Sequence, residues 1–394
     1  MAKGLFFNMP LHGHVNPTLP IVRELVDRGD EVVYFLTESF RGAVERAGAR
    51  LFPYESSLEG ISVAPGAGHP PLPVLMIGES RKLLPSLLEA VRAEAPDYVV
   101  YDSLCHWGRI ITRQLKLRGA IAYPSYASNA QWSMAKAFLS LPGAPPAALV
   151  ERMNAGLAEL GREYGLPWSG MQSVMVDAEP LNLVFMPRAF QPAGDSFDER
   201  FLFVGPSLQP QARAGTGDFP LERLEGGRTL YISLGTIFND WPDFYRTCFT
   251  AFGDSPWQVV LSAGKAASQE TLGAAPGNFV VRASVPQLEV LPRTSVFVTH
   301  GGMNSTMEAL NDGVPLVVIP QMAEQAVTAA RVAELGLGLA LDRASVTAAS
   351  LKEAVERVAH EPSFRERARR MQQEVRDAGG YRRAADALHA PRAR

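Results

Sequence analysis

Val296-Phe297-Val298-Thr299-His300-Gly301-Gly302-Met303-Asn304-Ser305-Thr306-Met307-Glu308 is the stretch from which the fold is read. A β-branched, apolar strand stops on two glycines, and a helix opens at once. Glycines at a strand end let backbone approach a ligand closely, and the following helix turns unsatisfied N–H groups and the positive end of its dipole towards that place. A diphosphate suits such a cradle. Glu308 stands four residues after Asn304, one turn on along the same helical face, where a carboxylate accepts hydrogen bonds from vicinal hydroxyls such as those of a ribose. Read alone, a Gly-Gly turn is as often only a tight turn. The rest of the chain decides between the two.

The same strand–loop–helix grammar recurs on both sides of that stretch. Gly4 to Met9 reads as a buried strand and Pro10 to Val15 as a loop. Asn16 is a suitable N-cap, Pro17 suits the first helical position, and Leu19, Val22, Leu25 and Val26 make a helical stripe that ends at Gly29. Further strands are expected at Glu31 to Leu36, Tyr98 to Tyr101, Ala120 to Tyr123 and Leu181 to Phe185. Gly-, Pro- and Gln-rich text from Val204 to Asp218 reads as a linker. A second series follows at Thr229 to Ser233, Gln258 to Ser262, Phe279 to Arg282, Val296 to Thr299 and Leu316 to Ile319. Strands alternating with helices predict an α/β fold of two doubly wound, Rossmann-like parallel domains, whose ligands bind beyond the carboxyl ends of the strands in a cleft between them. The charged helical text from Ser363 to Leu388 should break at Gly379-Gly380. Pro-rich stretches at Ala64 to Pro73 and Pro142 to Pro146 read as irregular loops.

Composition fits two domains of similar size, with 394 residues of which 46% are hydrophobic. Thirty-eight basic against 41 acidic residues give a net charge of -3, which leaves no bulk electrostatic case for nucleic acid or an anionic membrane. No signal peptide and no membrane-spanning run is visible, so stable membrane insertion is not expected. Cys105 and Cys248 are far apart and read as reduced, packed residues of a cytoplasmic protein.

Several polar groups fall at strand ends. In the first half the loop reads Leu11-His12-Gly13-His14-Val15-Asn16-Pro17, without a dinucleotide fingerprint. A histidine before a helix N-terminus is disfavoured as imidazolium and suits a general base, and Asp102, at the end of the Tyr98 strand, is placed to orient it. Spacing does not choose between His12 and His14, and Asp102 equally suits a helix cap. In the second half, Ser233-Leu234-Gly235-Thr236 and Pro286-Gln287 add two more strand-end loops, and Pro320-Gln321 with Glu324-Gln325 follow downstream. No His-Glu-x-x-His, Cys-x-x-Cys or Asp-x-Asp occurs, so no metal is expected and a diphosphate would rely on the helix dipole, hydroxyls and His300. No Gly-x-Ser-x-Gly elbow supports a serine hydrolase. Trp107, Tyr126, Asn129, Trp132, Met134 and Phe138 are candidates for an apolar acceptor pocket, although such aromatics more often pack in a core.

These motifs, in this order and over essentially the whole chain, resemble the family 1 nucleotide-sugar glycosyltransferases, and among them the bacterial macrolide and flavonoid enzymes of the YjiC type. The residues that carry the likeness are His12 to Thr18, Asp102, Ser233 to Thr236, Val285 to Leu291 and Thr299 to Thr306. The resemblance implies a GT-B fold, with an acceptor-binding domain over 1–207, a linker over 208–218, a nucleotide-sugar-binding domain over 219–376, and a C-terminal helix, 377–394, packing back on the first domain. By position it implies His14 as base and Asp102 as its partner. His300, Gly302, Asn304 and Ser305 fall on diphosphate contacts, Thr236 near the β-phosphate, Glu308 on the ribose, Val285 and Gln287 on the uracil edge, and Glu324 with Gln325 on the sugar hydroxyls. Ser284 stands where plant relatives carry a stacking tryptophan, and Glu324 replaces their aspartate.

The expected activity is an inverting transfer of a hexose, with glucose favoured by Gln325, from a UDP-sugar to a hydroxyl of a hydrophobic small molecule such as a flavonoid, phenol or macrolide. The UDP-sugar is a co-substrate, and no cofactor is implied. A nucleotide-sugar 2-epimerase and a non-catalytic activator of a partner glycosyltransferase are the alternatives.

Overall fold

The computed structural model describes residues 1–60, 72–141, 145–209, 219–236 and 239–390. Most of the linker expected over 208–218, most of the Pro-rich 64–73 stretch, part of 142–146 and the last residues of 377–394 lie outside that set. The chain forms two compact units, one of Met1–Ala212 with Ala378–Arg394 and one of Arg213–Asp377.

In the N-terminal unit seven strands make one sheet: β1 (Lys3–Phe7), β2 (Glu31–Leu36), β3 (Arg50–Pro53), β4 (Tyr98–Asp102), β5 (Gly119–Tyr123), β6 (Asn182–Val184) and β7 (Phe201–Phe203), in the order β3-β2-β1-β4-β5-β6-β7. Every pairing is parallel. Parallel strands need crossovers, so both faces are covered and the central strands read as unbroken apolar runs; Leu5, Phe6 and Phe7 are fully buried. The helix Leu19–Asp27 buries Leu19, Ile21, Val22 and Leu25 against that sheet and ends at Gly29, whose φ of +97° an L-residue rarely adopts.

The C-terminal unit repeats the plan with six strands: β8 (Arg228–Ser233), β9 (Trp257–Ser262), β10 (Phe279–Arg282), β11 (Val296–Thr299), β12 (Leu316–Val318) and β13 (Gly338–Ala340), ordered β10-β9-β8-β11-β12-β13 and again all parallel. In each sheet the strand order reverses once, between β1 and β4 and between β8 and β11. Helices leave in opposite directions there, which opens a crevice at the carboxyl edge. The loops after β1, β4, β8 and β11 border those two crevices. Among the described residues no helix is long and apolar enough to cross a membrane.

Three short edge strands, β3, β7 and β13, were not expected from the sequence. Near the end of the chain, Gly379 and Gly380 take φ of +90° and +59° and part the helix Pro362–Asp377 from Gly380–His389. The latter helix docks within the N-terminal unit. His389 Nε2 lies 2.7 Å from Asp30 Oδ2, Arg28 pairs with Asp386 at 2.6 Å, and the Gly380 N–H donates to the Val204 carbonyl at 2.7 Å.

Candidate active site

The segment after β1 differs from the expected loop. His12–Val15 forms one turn of helix, Asn16 follows in helical conformation rather than capping a new helix, and the next helix starts at Leu19 after Thr18. His14 therefore stands near the C-terminal end of a one-turn helix, and the dipole argument for a neutral ring does not apply to it. Its ring is held instead by Asp102, with Nδ1 2.7 Å from Oδ2. Asp102 is fully buried, while the His14 side chain keeps about a fifth of its surface exposed. A carboxylate only accepts, so Nδ1 carries the proton and the basic lone pair lies on Nε2. The other Asp102 oxygen accepts from the Leu104 N–H at 2.8 Å, so a single carboxylate serves both the turn after β4 and the histidine. His12 packs its ring on Phe40, 5.0 Å between centroids. Asn8, fully buried at the end of β1, donates from Nδ2 to the His14 carbonyl at 2.7 Å.

Behind this pair the helix His106–Gln114 lies close on the sheet, because Gly108 meets Tyr101 and Phe7 where any Cβ would collide. His106, in its first turn, is buried beside Arg109, which together lower its pKa to about 3 and keep the ring neutral.

In the C-terminal unit His300 extends β11 at the reversal point. A Cβ on Gly302 would lie 2.4 Å from His300 Nε2, and one on Gly235 would lie 2.6 Å away, so the ring fits between two backbones only because both residues are glycine. Gly235 and Gly301 also take φ of +78° and +83°. Burial pulls the His300 pKa down to about 4 against a hydrogen bond to the Ser233 backbone that raises it, so the ring is a neutral donor near pH 7. The helix Met303–Asn311 starts after Gly302, which has no side chain to cap it, and carries half-buried Asn304 and Ser305 in its first turn. One turn on, Glu308 is buried, and its Oε2 accepts from Gln287 Nε2 at 2.5 Å while Tyr231 donates its hydroxyl to Gln287 Oε1 at 3.0 Å.

Residues 251–379 match the model of the erythromycin biosynthesis protein CIII-like C-terminal domain. NDP-glycosyltransferase YjiC of Bacillus subtilis (strain 168) is 40% identical over 97% of this chain and 95% of its own length. The chain belongs to the family 1 nucleotide-sugar glycosyltransferases. Demethyllactenocin mycarosyltransferase of Streptomyces fradiae is 37% identical over 98% of this chain and 86% of its own. The crystal structure of CalG4, the calicheamicin glycosyltransferase, matches with a TM-score of 0.86 at 35% identity over 98% and 97% of the two chains. The glycosyltransferase thus has the GT-B fold, two Rossmann-like parallel domains, and moves a sugar from a nucleotide sugar.

Thr236 is exposed just before residues outside the described set, Val285 is buried, and Ser284 is exposed. Gln325 is buried and its Oε1 accepts from the Gln321 N–H at 2.7 Å, so the hydrogen-bonding group it keeps for another partner is the Nε2 donor. Glu324 stands half-buried beside it in the first turn of the helix Ala323–Glu334. Among the acceptor candidates Trp107 is a correction: it has no exposed surface and belongs to the core under the sheet. Tyr126 and Met134 are also buried; Tyr126 packs on half-buried Trp132 at 5.4 Å. Phe138 is half-buried on the helix Met134–Ser140. Asn129 spends its side chain on its own loop and on the turn at 194–196, accepting from the N–H groups of Gln131 and Trp132 and donating to the Ser196 carbonyl and hydroxyl.

Sequence reading missed the part of Gly235 beside His300, and it missed Tyr231 and Asn8 altogether. Each had a faint signal. Gly235 follows a strand directly, and Tyr231 and Asn8 are polar-capable residues inside or at the end of an apolar run, where a partner is needed.

Proposed function

We propose that this glycosyltransferase is an inverting enzyme that moves glucose, or a related hexose, from a UDP-sugar to a hydroxyl of a hydrophobic small-molecule acceptor such as a flavonoid, phenol or macrolide. The observation that carries the reading is the 2.7 Å contact between His14 Nδ1 and buried Asp102. His14 Nε2 takes the proton of the acceptor hydroxyl as its oxygen attacks the anomeric carbon. The bond from that carbon to the diphosphate breaks and its electron pair leaves with UDP. Asp102 stabilises the imidazolium that forms, and this base assistance is worth roughly 10²- to 10⁴-fold. The natural-product acceptors in the names of relatives support a small-molecule substrate, among them oleandomycin glycosyltransferase of Streptomyces antibioticus, 31% identical over 98% of this chain and 89% of its own.

On the donor side His300, Gly302, Asn304, Ser305 and Thr236 receive the diphosphate, the uncapped helix after Gly302 adding its dipole. Val285 and Gln287 meet the uracil edge, and Glu308 the ribose. Gln287 fixes the Glu308 carboxylate, and Gln325 offers a donor where Glu324 offers an acceptor, a matched pair for sugar hydroxyls. Tyr126, Trp132 and Phe138 remain the residues proposed for the acceptor, with Asn129 shaping their loop. Cys105 and Cys248 are free, buried thiols, in keeping with work in the cytoplasm.

Purified protein with UDP-glucose against a panel of phenols, flavonoids, sterols and macrolides, read by mass, tests the reading. A hexosyl adduct is expected, most readily on phenols, whose pKa of about 10 eases deprotonation. Adducts formed only from deoxythymidine diphosphate sugars would overturn the choice of UDP.

Two further outcomes are expected. Glu308→Ala should weaken UDP more than 2′-deoxy-UDP, by roughly tenfold, because only UDP loses two hydrogen bonds to a charged group. Equal losses in a calorimetric titration would remove the ribose assignment. We also propose a metal-independent transfer, in which the helix dipole, the hydroxyls around it and His300 carry the charge of the leaving diphosphate. Turnover in excess EDTA should stay within about twofold of that with magnesium; a large loss restored by magnesium would contradict this.

A further inference from the structure

The one-turn helix that carries His14 is too short to hold itself. Its internal support is three backbone bonds, from His14 and Val15 to the Leu11 carbonyl and from Asn16 to the His12 carbonyl, and no side chain caps its start. A single turn is unfavourable in isolation, since fixing it gains too few hydrogen bonds. Outside ties hold it, among them three that bear on His14 and its neighbour. Val15 is fully buried, Asp102 grips the imidazole, and Asn8 grips the backbone of His14 itself.

Asn8 is the tether that packing does not explain. It is fully buried at the end of an apolar strand, and its Oδ1 has no hydrogen-bond partner among the described residues. The amide cannot turn round to relieve this, because the His14 carbonyl only accepts and so requires Nδ2 on its side. An unmet buried acceptor is destabilising, and an apolar residue of the same volume would avoid it. What such a residue would lose is the grip on His14. His14 is thus held at its ring Nδ1 by Asp102 and at its main chain by Asn8, which stand at the ends of two adjacent strands, β4 and β1.

We propose that Asn8 is a positioning residue for the base, holding the His14 main chain so that the imidazole stays on Asp102 and Nε2 points one way. The inference rests on the reading of His14 as the base. Asn8 touches neither acceptor nor donor in this role; it acts through His14.

The test compares Asn8→Leu with the full-length wild-type enzyme on UDP-glucose and a phenolic acceptor. The leucine variant should lower kcat by roughly 10- to 100-fold, the size of effect a small misplacement of a reacting group produces, with KM for UDP-glucose within about twofold. Its thermal midpoint should stay close to that of wild type, because the orphaned Asn8 acceptor goes while the His14 carbonyl loses its donor. A proton NMR spectrum supplies the readout that a merely structural role would not move. The downfield Nδ1–H resonance, assigned by its loss in His14→Ala, should broaden or vanish in the Asn8 variant. Asn8→Ala is read in the same way if the leucine does not fold. A kcat within about twofold of wild type, or a fall in kcat with an unaltered imidazole resonance and an equal fall in thermal midpoint, overturns the proposal. If His14→Ala keeps turnover, the base assignment falls instead; if it is inactive while the Asn8 variants work normally, only the role of Asn8 falls.

Discussion

His14→Ala should reduce turnover by roughly 10²- to 10⁴-fold while the dissociation constant of UDP stays within about twofold. The hydrogen bonds described around the nucleotide box run within the C-terminal unit: Tyr231 to Gln287, Gln287 to Glu308 and Gln321 to Gln325. None uses His14, so removing the imidazole takes away a proton acceptor and leaves those bonds in place. The residual rate should depend on the acceptor. A phenol with a pKa of about 10 is partly ionised at high pH and needs less help than an aliphatic alcohol, so the loss should be largest on alcohols and should shrink on phenols as pH rises. Asp102→Asn should resemble it in direction. The amide is the same size, so the buried site is kept, but it can present an N–H to Nδ1 and move the imidazole proton to Nε2, the atom that must accept. Substantial turnover of aliphatic alcohols by His14→Ala would sink the assignment.

Gly302→Ala is expected to weaken UDP by roughly 10- to 100-fold, the loss of one hydrogen bond to a charged group. Backbone strain is not the reason, since Gly302 has φ of -63° and ψ of 137°, a conformation alanine adopts readily. The new Cβ would lie 2.4 Å from His300 Nε2 and 2.9 Å from Cε1, and on the other side Gly235 closes the way. The ring has to leave its slot. With a pKa of about 4 the free His300 ring is neutral and its one N–H is held by the Ser233 carbonyl; a bound diphosphate favours the protonated ring, whose second N–H then donates to it, so the position of the ring is what matters. Gly235→Ala should be worse, because its φ of +78° adds backbone strain of about 1–2 kcal/mol to the same collision. Calorimetric titration with UDP and a thermal melt separate loss of the site from loss of the fold, and an unchanged affinity in Gly302→Ala would contradict the clasp.

How far the sequence could be read follows from the physics of each element. Glu31–Leu36, Phe279–Arg282 and Val296–Thr299 are strands over the residues expected, because apolar β-branched runs bounded by turn-forming text carry a strong signal. The edge strands Arg50–Pro53, Phe201–Phe203 and Gly338–Ala340 are three or four residues long, too short to show a period. The helical turn at His12–Val15 escaped for the same reason, and Asn16 imitated a cap that the backbone does not use. Strand-end polar groups were legible as candidates. Their pairing was not: His14 and Asp102 are 88 residues apart, and only the parallel register of β1 beside β4 brings them together. Trp107 has no exposed surface, and an aromatic after a functional loop suits a core as well as a pocket, so sequence alone does not separate the two.

In the proposed single displacement an acceptor oxygen, deprotonated by His14, attacks the anomeric carbon directly. The most direct measurement is the anomeric configuration of the product made from UDP-α-glucose, read from the sugar H1–H2 coupling by NMR on a phenolic acceptor. A β-glucoside is expected as the sole product. An α-glucoside would require a second displacement or a front-face attack, and would contradict the proposed displacement.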